Sequence, residues 1–246
     1  MAQRKILLTI QYDGTDYHGW QVQPGCDTIQ GCLTHALQSL FGTDVQIKGA
    51  SRTDAGVNAL GQLGLIQVDS PIPTENLSKA LTARVPRDVA VSEAVDVPLD
   101  FDLSAAVKNK LYRYTICTAL TRPVLRIRRC WHLPKKLDTA AMAEAAGILV
   151  GKHDFKSFAS AADTRENSIR TIFRCDVTSQ DDLIYIDVEG DGFLYNMVRN
   201  IVGSLVEVGT NRWKPEKMQQ VLDAKNRTAA GPIAPPAGLC LMWIKI

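Results

Sequence analysis

The order of strand-like and helix-like segments in this 246-residue chain predicts an α+β fold made of two fused halves of one plan. Three observations carry that expectation. A strand–helix–strand–strand–helix–strand order runs from residue 4 to residue 97, and it returns with one extra helix from 111 to 246. No low-complexity linker separates the two runs, so the halves are expected to pack rigidly. Apolar content of 46% and charged content of 22% are those of an ordinary globular protein with a sizeable core.

Residues 4–12 alternate apolar and polar side chains and break at Asp13-Gly14, which predicts a strand. Tyr17 to Gly25 is an aromatic, glycine-containing loop. Thr28 suits the N-cap of a helix over 28–41 with Ile29, Leu33, Ala36, Leu37 and Leu40 on one face, and Gly42 stops it. Val45 to Lys48 and Leu63 to Val68 read as strands, Glu75 to Ala83 as a helix ended before Pro86, and Val89 to Val97 as a strand closed by Pro98. This β-α-β-β-α-β order is the ferredoxin-like, or split βαβ, unit.

In the second half, Leu111 to Thr118 is a strand with Tyr112 and Tyr114 on one face, and Leu137 to Val150 is an alanine-rich helix. Ile172 to Thr178 and Leu183 to Glu189 form a hairpin through Gln180-Asp181-Asp182. Asn196 to Val208 and Pro215 to Ala224 are helices, and Leu239 to Ile246 is a closing strand. The expected architecture is two ferredoxin-like halves, 1–104 and 105–246, sharing a continuous antiparallel sheet with an active-site cleft between them.

Lys plus Arg number 28 and Asp plus Glu 26, so the net charge of +2 does not announce a nucleic-acid partner. The distribution says more. From Leu103 to Leu137 there is no acid, while Lys108, Lys110, Arg113, Arg122, Arg126, Arg128, Arg129, Lys135 and Lys136 all fall inside, a local positive field. The six cysteines form no Cys-x-x-Cys pair and read as reduced thiols of a cytoplasmic protein. The four histidines show no ligand spacing, so no metal site is indicated, and the apolar run near the N-terminus is too short for a signal segment or membrane span.

Three stretches could carry chemistry. Gly49-Ala50-Ser51-Arg52-Thr53-Asp54-Ala55-Gly56 sets a cation, a hydroxyl and a carboxylate on a glycine-flanked turn. Asp54 there suits a nucleophile or base with Arg52 presenting an anionic polymer, although the stretch alone equally suits a surface turn with a capping Asp. The helix after Phe193 is apolar nearly all round and so is expected to be buried, with Tyr195, Arg199 and Gly203 four apart on one face and Gly203 leaving room for another segment. A buried Arg199 needs an anionic partner, for which Asp54 is a candidate; a solvated Arg199, or one paired with Glu207, fits the sequence too. Tyr112 between Lys110 and Arg113 suits a base-stacking aromatic beside phosphate-holding cations, and also an ordinary half-buried strand residue.

Taken together, these residues match a known pattern. The chain resembles the tRNA pseudouridine synthase A family almost end to end, through Tyr12-Asp13-Gly14, Gly19-Trp20-Gln21, Arg52-Thr53-Asp54-Ala55-Gly56-Val57, Tyr112-Arg113-Tyr114, Asp154-Phe155-Lys156-Ser157-Phe158, Asn196-Met197-Val198-Arg199-Asn200-Ile201-Val202-Gly203 and Arg227-Thr228-Ala229-Ala230. The resemblance implies that Asp54 is the catalytic aspartate, Tyr112 and Arg199 the active-site tyrosine and arginine, and Arg52 the arginine that helps extrude the target base. It implies isomerisation of uridine to pseudouridine at tRNA positions 38, 39 and 40 in the anticodon stem-loop, by a homodimer that needs no cofactor. The family usually has Gly before the Arg and His after Gly-Val, where this chain has Ser51 and Asn58; Ser104 stands where the family usually has Arg. These departures bear on loop rigidity and RNA contacts, not on an assigned catalytic group. The competing readings are a non-catalytic RNA-binding module and a pseudouridine synthase for another RNA.

Overall fold

The computed structural model describes residues 3–163 and 165–246. It is a mixed α+β protein whose described residues divide into two compact units, one made of the chain up to Lys108 together with Cys240–Ile246, the other of Asn109–Leu239.

The first unit contains β1 (Arg4–Tyr12), α1 (Ile29–Phe41), β2 (Ile47–Gly49), β3 (Asn58–Val68), α2 (Thr74–Thr82), β4 (Val89–Val97) and a short α3 (Leu103–Ala106). Strand β1 pairs antiparallel with β3 through Leu8↔Gly64 and with β4 through Leu7↔Val95, and β2 pairs antiparallel with the far edge of β3 through Lys48↔Leu65, giving the order β4-β1-β3-β2. Period-two alternation turns Ile6, Leu8 and Ile10 inward, where they form the core with Ile29, Leu33 and Leu37 of α1 and Leu77 and Leu81 of α2, all fully buried. As expected, the Thr28 side chain caps α1 by accepting from the Gly31 N–H, and the Gly42 N–H closes the helix on the Gln38 carbonyl. The pairing of β1 with β3 shifts register between Ile10 and Tyr12, a bulge that falls opposite Ala59 to Gln62.

The second unit contains β5 (Asn109–Cys117), a two-residue β6 (Trp131–His132), α4 (Thr139–Gly147), β7 (Gly151–Asp154), β8 (Ile169–Gln180), β9 (Leu183–Gly190), α5 (Met197–Gly209) and α6 (Lys217–Ala224). Its long strands run antiparallel in the order β5-β9-β8-β7. Gln180 pairs with Leu183, so β8 and β9 form the predicted hairpin, with Asp181 in the left-handed region at φ 52°. Tyr114, Ile116, Ile186, Phe155, Phe158 and Ile201 are among its fully buried side chains.

The final strand, β10 (Leu239–Lys245), departs from the sequence expectation. Cys240↔Asn58 and Leu241↔Ala59 pair it parallel to β3, and Lys245 accepts from the Lys108 N–H, which seats residues 240–246 in the first unit. Strand pairing is therefore not wholly antiparallel in either unit: β3–β10 in the first and β5–β6 in the second are parallel pairs. A parallel pair needs a long crossover between its strands, and here the whole of Asn109–Leu239 lies between β3 and β10. No helix among the described residues is long and apolar enough to cross a membrane.

Candidate active site

In the first unit the turn that carries Asp54 joins β2 to β3. Its backbone is anchored on both sides. Upstream, Ala50 N–H donates to the Leu63 carbonyl, and the Gln62 carboxamide accepts from the Ser51 N–H at 3.2 Å while donating to the Ser51 carbonyl at 2.7 Å. In the middle, Thr53 is buried and its hydroxyl shares a 2.8 Å hydrogen bond with the Tyr12 hydroxyl, while its carbonyl accepts from Trp20 N–H. Downstream, Gly56 N–H donates to the Tyr17 carbonyl and Val57 N–H to the carbonyl of Asp54 itself. The Tyr17–Trp20 segment can lie this close because Gly19 sits at φ +87°, and a Cβ on it would stand 2.6 Å from the Thr53 carbonyl oxygen.

Side chains then sort by exposure along the turn. Thr53 is buried, Arg52 is exposed, and Asp54 is intermediate. Asn58 is buried and its Oδ1 accepts from the Gly14 N–H at 2.9 Å. It ties the Asp13-Gly14 bend to the start of β3. At Ser51 the Gln62 carboxamide grips both the backbone N–H and the carbonyl.

In the second unit, alternation along β5 puts Lys110, Tyr112 and Tyr114 on one sheet face and Arg113 on the other. Tyr112 is buried, with its ring edge-on to Phe193 at 5.3 Å and 89°. Phe193 was not singled out as a site residue in the sequence; its one signal was a place in the apolar run leading into α5. Burial pushes the Lys110 ammonium down to about 8. Arg113 makes a bidentate pair with Asp187 of β9, both bonds at 2.8 Å, with its guanidinium carbon 5.0 Å from the Tyr185 ring centre. Tyr114 is fully buried; its hydroxyl donates to the Pro235 carbonyl, and desolvation raises its pKa despite the opposing Arg199 charge.

Helix α5 meets the expectation of near-total burial: twelve of its thirteen residues are buried, and Arg199 is the one that is not. Arg199 is half-buried; its Nε donates to the Ala234 carbonyl at 2.8 Å and its Nη1 to Asn196 Oδ1 at 3.0 Å. The Glu207 carboxylate is engaged by Arg212 at 2.8 Å. Gly203 does leave room for another segment. A Cβ there would lie 1.6 Å from the Pro232 carbonyl oxygen, and Gly231 N–H donates to Ser204 Oγ, so residues 231–234 form a strap across this face of α5. Tyr195 is not on the helix. Asn196 adopts φ 63°, a left-handed conformation that asparagine tolerates better than most residues, and α5 starts after it. Tyr195 is instead 47% exposed, its N–H donating to Asp163, whose carboxyl the Arg165 guanidinium holds well below the usual range.

Among the described residues, no three His, Cys, Asp or Glu side chains gather so as to hold a metal ion. The arrangement offers two things to an anionic polymer. One is a carboxylate and an exposed arginine on an anchored turn; the other is an aromatic strand face with a partly desolvated lysine.

Known proteins match this chain over nearly its whole length. A family model described as tRNA pseudouridine synthase matches residues 8–104 and 145–245. A protein of Caldicellulosiruptor saccharolyticus named tRNA pseudouridine synthase A is 41% identical over 239 residues, covering 97% of this chain and 98% of its own. Proteins of the same name from Moorella thermoacetica (44% identical, covering 96% of this chain and 97% of its own) and Geotalea uraniireducens (41%, covering 98% and 99%) extend the match. The chain belongs to the tRNA pseudouridine synthase family.

Proposed function

We propose that this protein is an isomerase that converts uridine to pseudouridine at positions 38, 39 and 40 in the anticodon stem-loop of tRNA. The observation that carries the reading is the doubly anchored turn that presents Arg52 and Asp54, in a chain that matches synthases named for tRNA over nearly its full length. The reaction breaks the bond from ribose C1′ to uracil N1, turns the base, and rejoins it through C5. The proton on C5 leaves and N1 gains one, so nothing is oxidised and no group is imported.

Each residue has a role in that sequence. Asp54 is the ionised carboxylate that acts at the ribose of a uridine already out of the stack. Arg199 is the active-site arginine, its guanidinium set by the Ala234 carbonyl and Asn196 Oδ1. Tyr112 stacks on the uracil and relays the C5 proton. Arg52, exposed at the turn, fills the vacated stack or grips the displaced backbone. Lys110 and Arg113 add positive charge for phosphate, Arg113 with its geometry fixed by Asp187 and 38% of its side chain left to solvent.

In this reading the chain consists of two ferredoxin-like halves, 1–104 and 105–246, the first carrying Asp54 and the second Tyr112 and Arg199; the order β4-β1-β3-β2 in the first unit supports it. The protein acts in the cytoplasm as a homodimer. Leu120, Val124 and Leu125, at 89%, 73% and 98% exposure, give the second unit an apolar patch suited to covering by a second copy.

The test is to incubate the protein with unmodified tRNA and with ribosomal RNA and to map pseudouridine. Pseudouridine at tRNA positions 38–40 is expected. Pseudouridine confined to ribosomal RNA would move the substrate, and tight RNA binding with no pseudouridine would leave only an RNA-binding module.

A further inference from the structure

Gln62 is fully buried, and it is polar. A buried carboxamide is costly unless its donors and acceptors are used, and here they are spent on the backbone beside the aspartate turn. Its Oε1 accepts from Ser51 N–H at 3.2 Å and from Leu63 N–H at 3.1 Å, and its Nε2 donates to the Ser51 carbonyl at 2.7 Å. The carboxamide thus pairs with Ser51 as a peptide group of a neighbouring strand would. It does so where strand pairing gives out: β2 ends at Gly49, Ala50 makes the last backbone bond to Leu63, and the β1–β3 bulge lies opposite Gln62. Bulges re-aim side chains beside functional sites, and this one accompanies a glutamine turned into the core.

We infer that Gln62 is a positioning residue for the reaction: it sets the path of Ser51 and so fixes where the turn delivers Arg52 and Asp54. A second anchor acts two residues on, where Tyr12 holds the Thr53 side chain and Trp20 its carbonyl. Asp54 therefore leaves a backbone pinned at residues 51, 53 and 56, and each pin is made by a group outside the turn. Gln62 is the only one of these that holds both the N–H and the carbonyl of one residue. Displacing a reacting group by about 1 Å costs on the order of 100-fold in rate, so loss of this clamp is read in turnover more than in binding. This inference rests on the assignment of Asp54 as the catalytic carboxylate.

The experiment uses the full chain with tRNA transcripts carrying C5-tritiated uridine. Gln62→Met keeps the side-chain length and removes all three hydrogen bonds; Gln62→Glu keeps shape and the acceptor but sets an oxygen against the Ser51 carbonyl. Single-turnover rates are expected to fall about 10- to 100-fold for both, with the dissociation constant for tRNA within twofold of wild type, at a temperature where melting curves show each variant folded. Should Gln62→Met not fold, Gln62→Glu carries the same prediction. A folded variant with a rate within twofold of wild type, or one whose loss lies entirely in tRNA binding, overturns it. Asp54→Asn is run alongside. If that variant keeps turnover, the assignment of Asp54 fails; if it is inactive while the Gln62 variants turn over normally, only the role of Gln62 fails.

Discussion

Replacing Gly203 by alanine should unseat the strap that holds Arg199. The added Cβ would lie 1.6 Å from the Pro232 carbonyl oxygen, where real contacts are no shorter than 3.0 Å. Residues 231–234 would have to retreat by roughly 1.4 Å, because the helix backbone on the other side is packed and cannot yield. Three hydrogen bonds depend on that seat: Gly231 N–H to Ser204 Oγ, Arg199 Nε to the Ala234 carbonyl, and Ala234 N–H to the Arg199 carbonyl. At about 1 kcal/mol each, their loss costs about 3 kcal/mol, plus about 1 kcal/mol of strain. Alanine returns about 1 kcal/mol of helix propensity over glycine. The net is about 3 kcal/mol, which for a chain of this size lowers Tm by about 6–12 °C. Turnover measured well below the melting transition should also fall at least about tenfold, since the Arg199 guanidinium loses the carbonyl that fixes it. Thermal melts and tritium release from C5-labelled tRNA read the two effects separately. A Gly203→Ala protein with unchanged Tm and unchanged turnover would refute the packing of the strap on α5 and its support of Arg199.

Two further outcomes follow from the second unit. Lys110 has its folded-state pKa pushed down to about 8 by burial, below the ordinary lysine value, so between pH 8 and about 10.4 the unfolded chain binds more protons than the folded one. Stability should therefore rise with pH across that window, and tRNA affinity should fall as the charge is lost; Lys110→Met should remove both trends and reduce the salt slope of tRNA binding by about 1, read by melts and binding titrations. Arg113→Met leaves the buried Asp187 carboxylate without its bidentate partner, and with Arg113 partly exposed the cost should be about 1–3 kcal/mol. Arg113→Met with Asp187→Asn should recover most of it in denaturant unfolding, and no recovery would contradict the pairing.

What was legible in the sequence was what local pattern encodes. The Thr28 cap, the turn at Asp181 and the all-round apolar character of α5 each rest on neighbouring residues, and each is found. Gly203 was readable because a glycine in an otherwise apolar helix asks for a reason, and the strap supplies one. The misses are long-range. Strand β3 starts at Asn58 rather than 63, because Ala59 and Gln62 pair with Tyr12 and Ile10 of β1, and Asn58 and Ala59 with Cys240 and Leu241 at the far end of the chain. The same pairing moved residues 240–246 into the first unit. Tyr195 shares a helical spacing with Arg199, yet the left-handed Asn196 takes it off the helix. Gln62 and Asn58 lay outside the strand expected over 63–68; only the folded chain shows their side chains standing in for backbone partners.

The central claim is that Asp54 is the group that acts on the uridine. The most direct measurement is tritium release from C5-labelled uridine in tRNA by Asp54→Asn, with tRNA binding measured on the same preparation. Release should vanish while binding stays within a few-fold of wild type, because the substitution removes the carboxylate and leaves the anchored turn around it in place. Turnover near the wild-type rate would contradict the assignment.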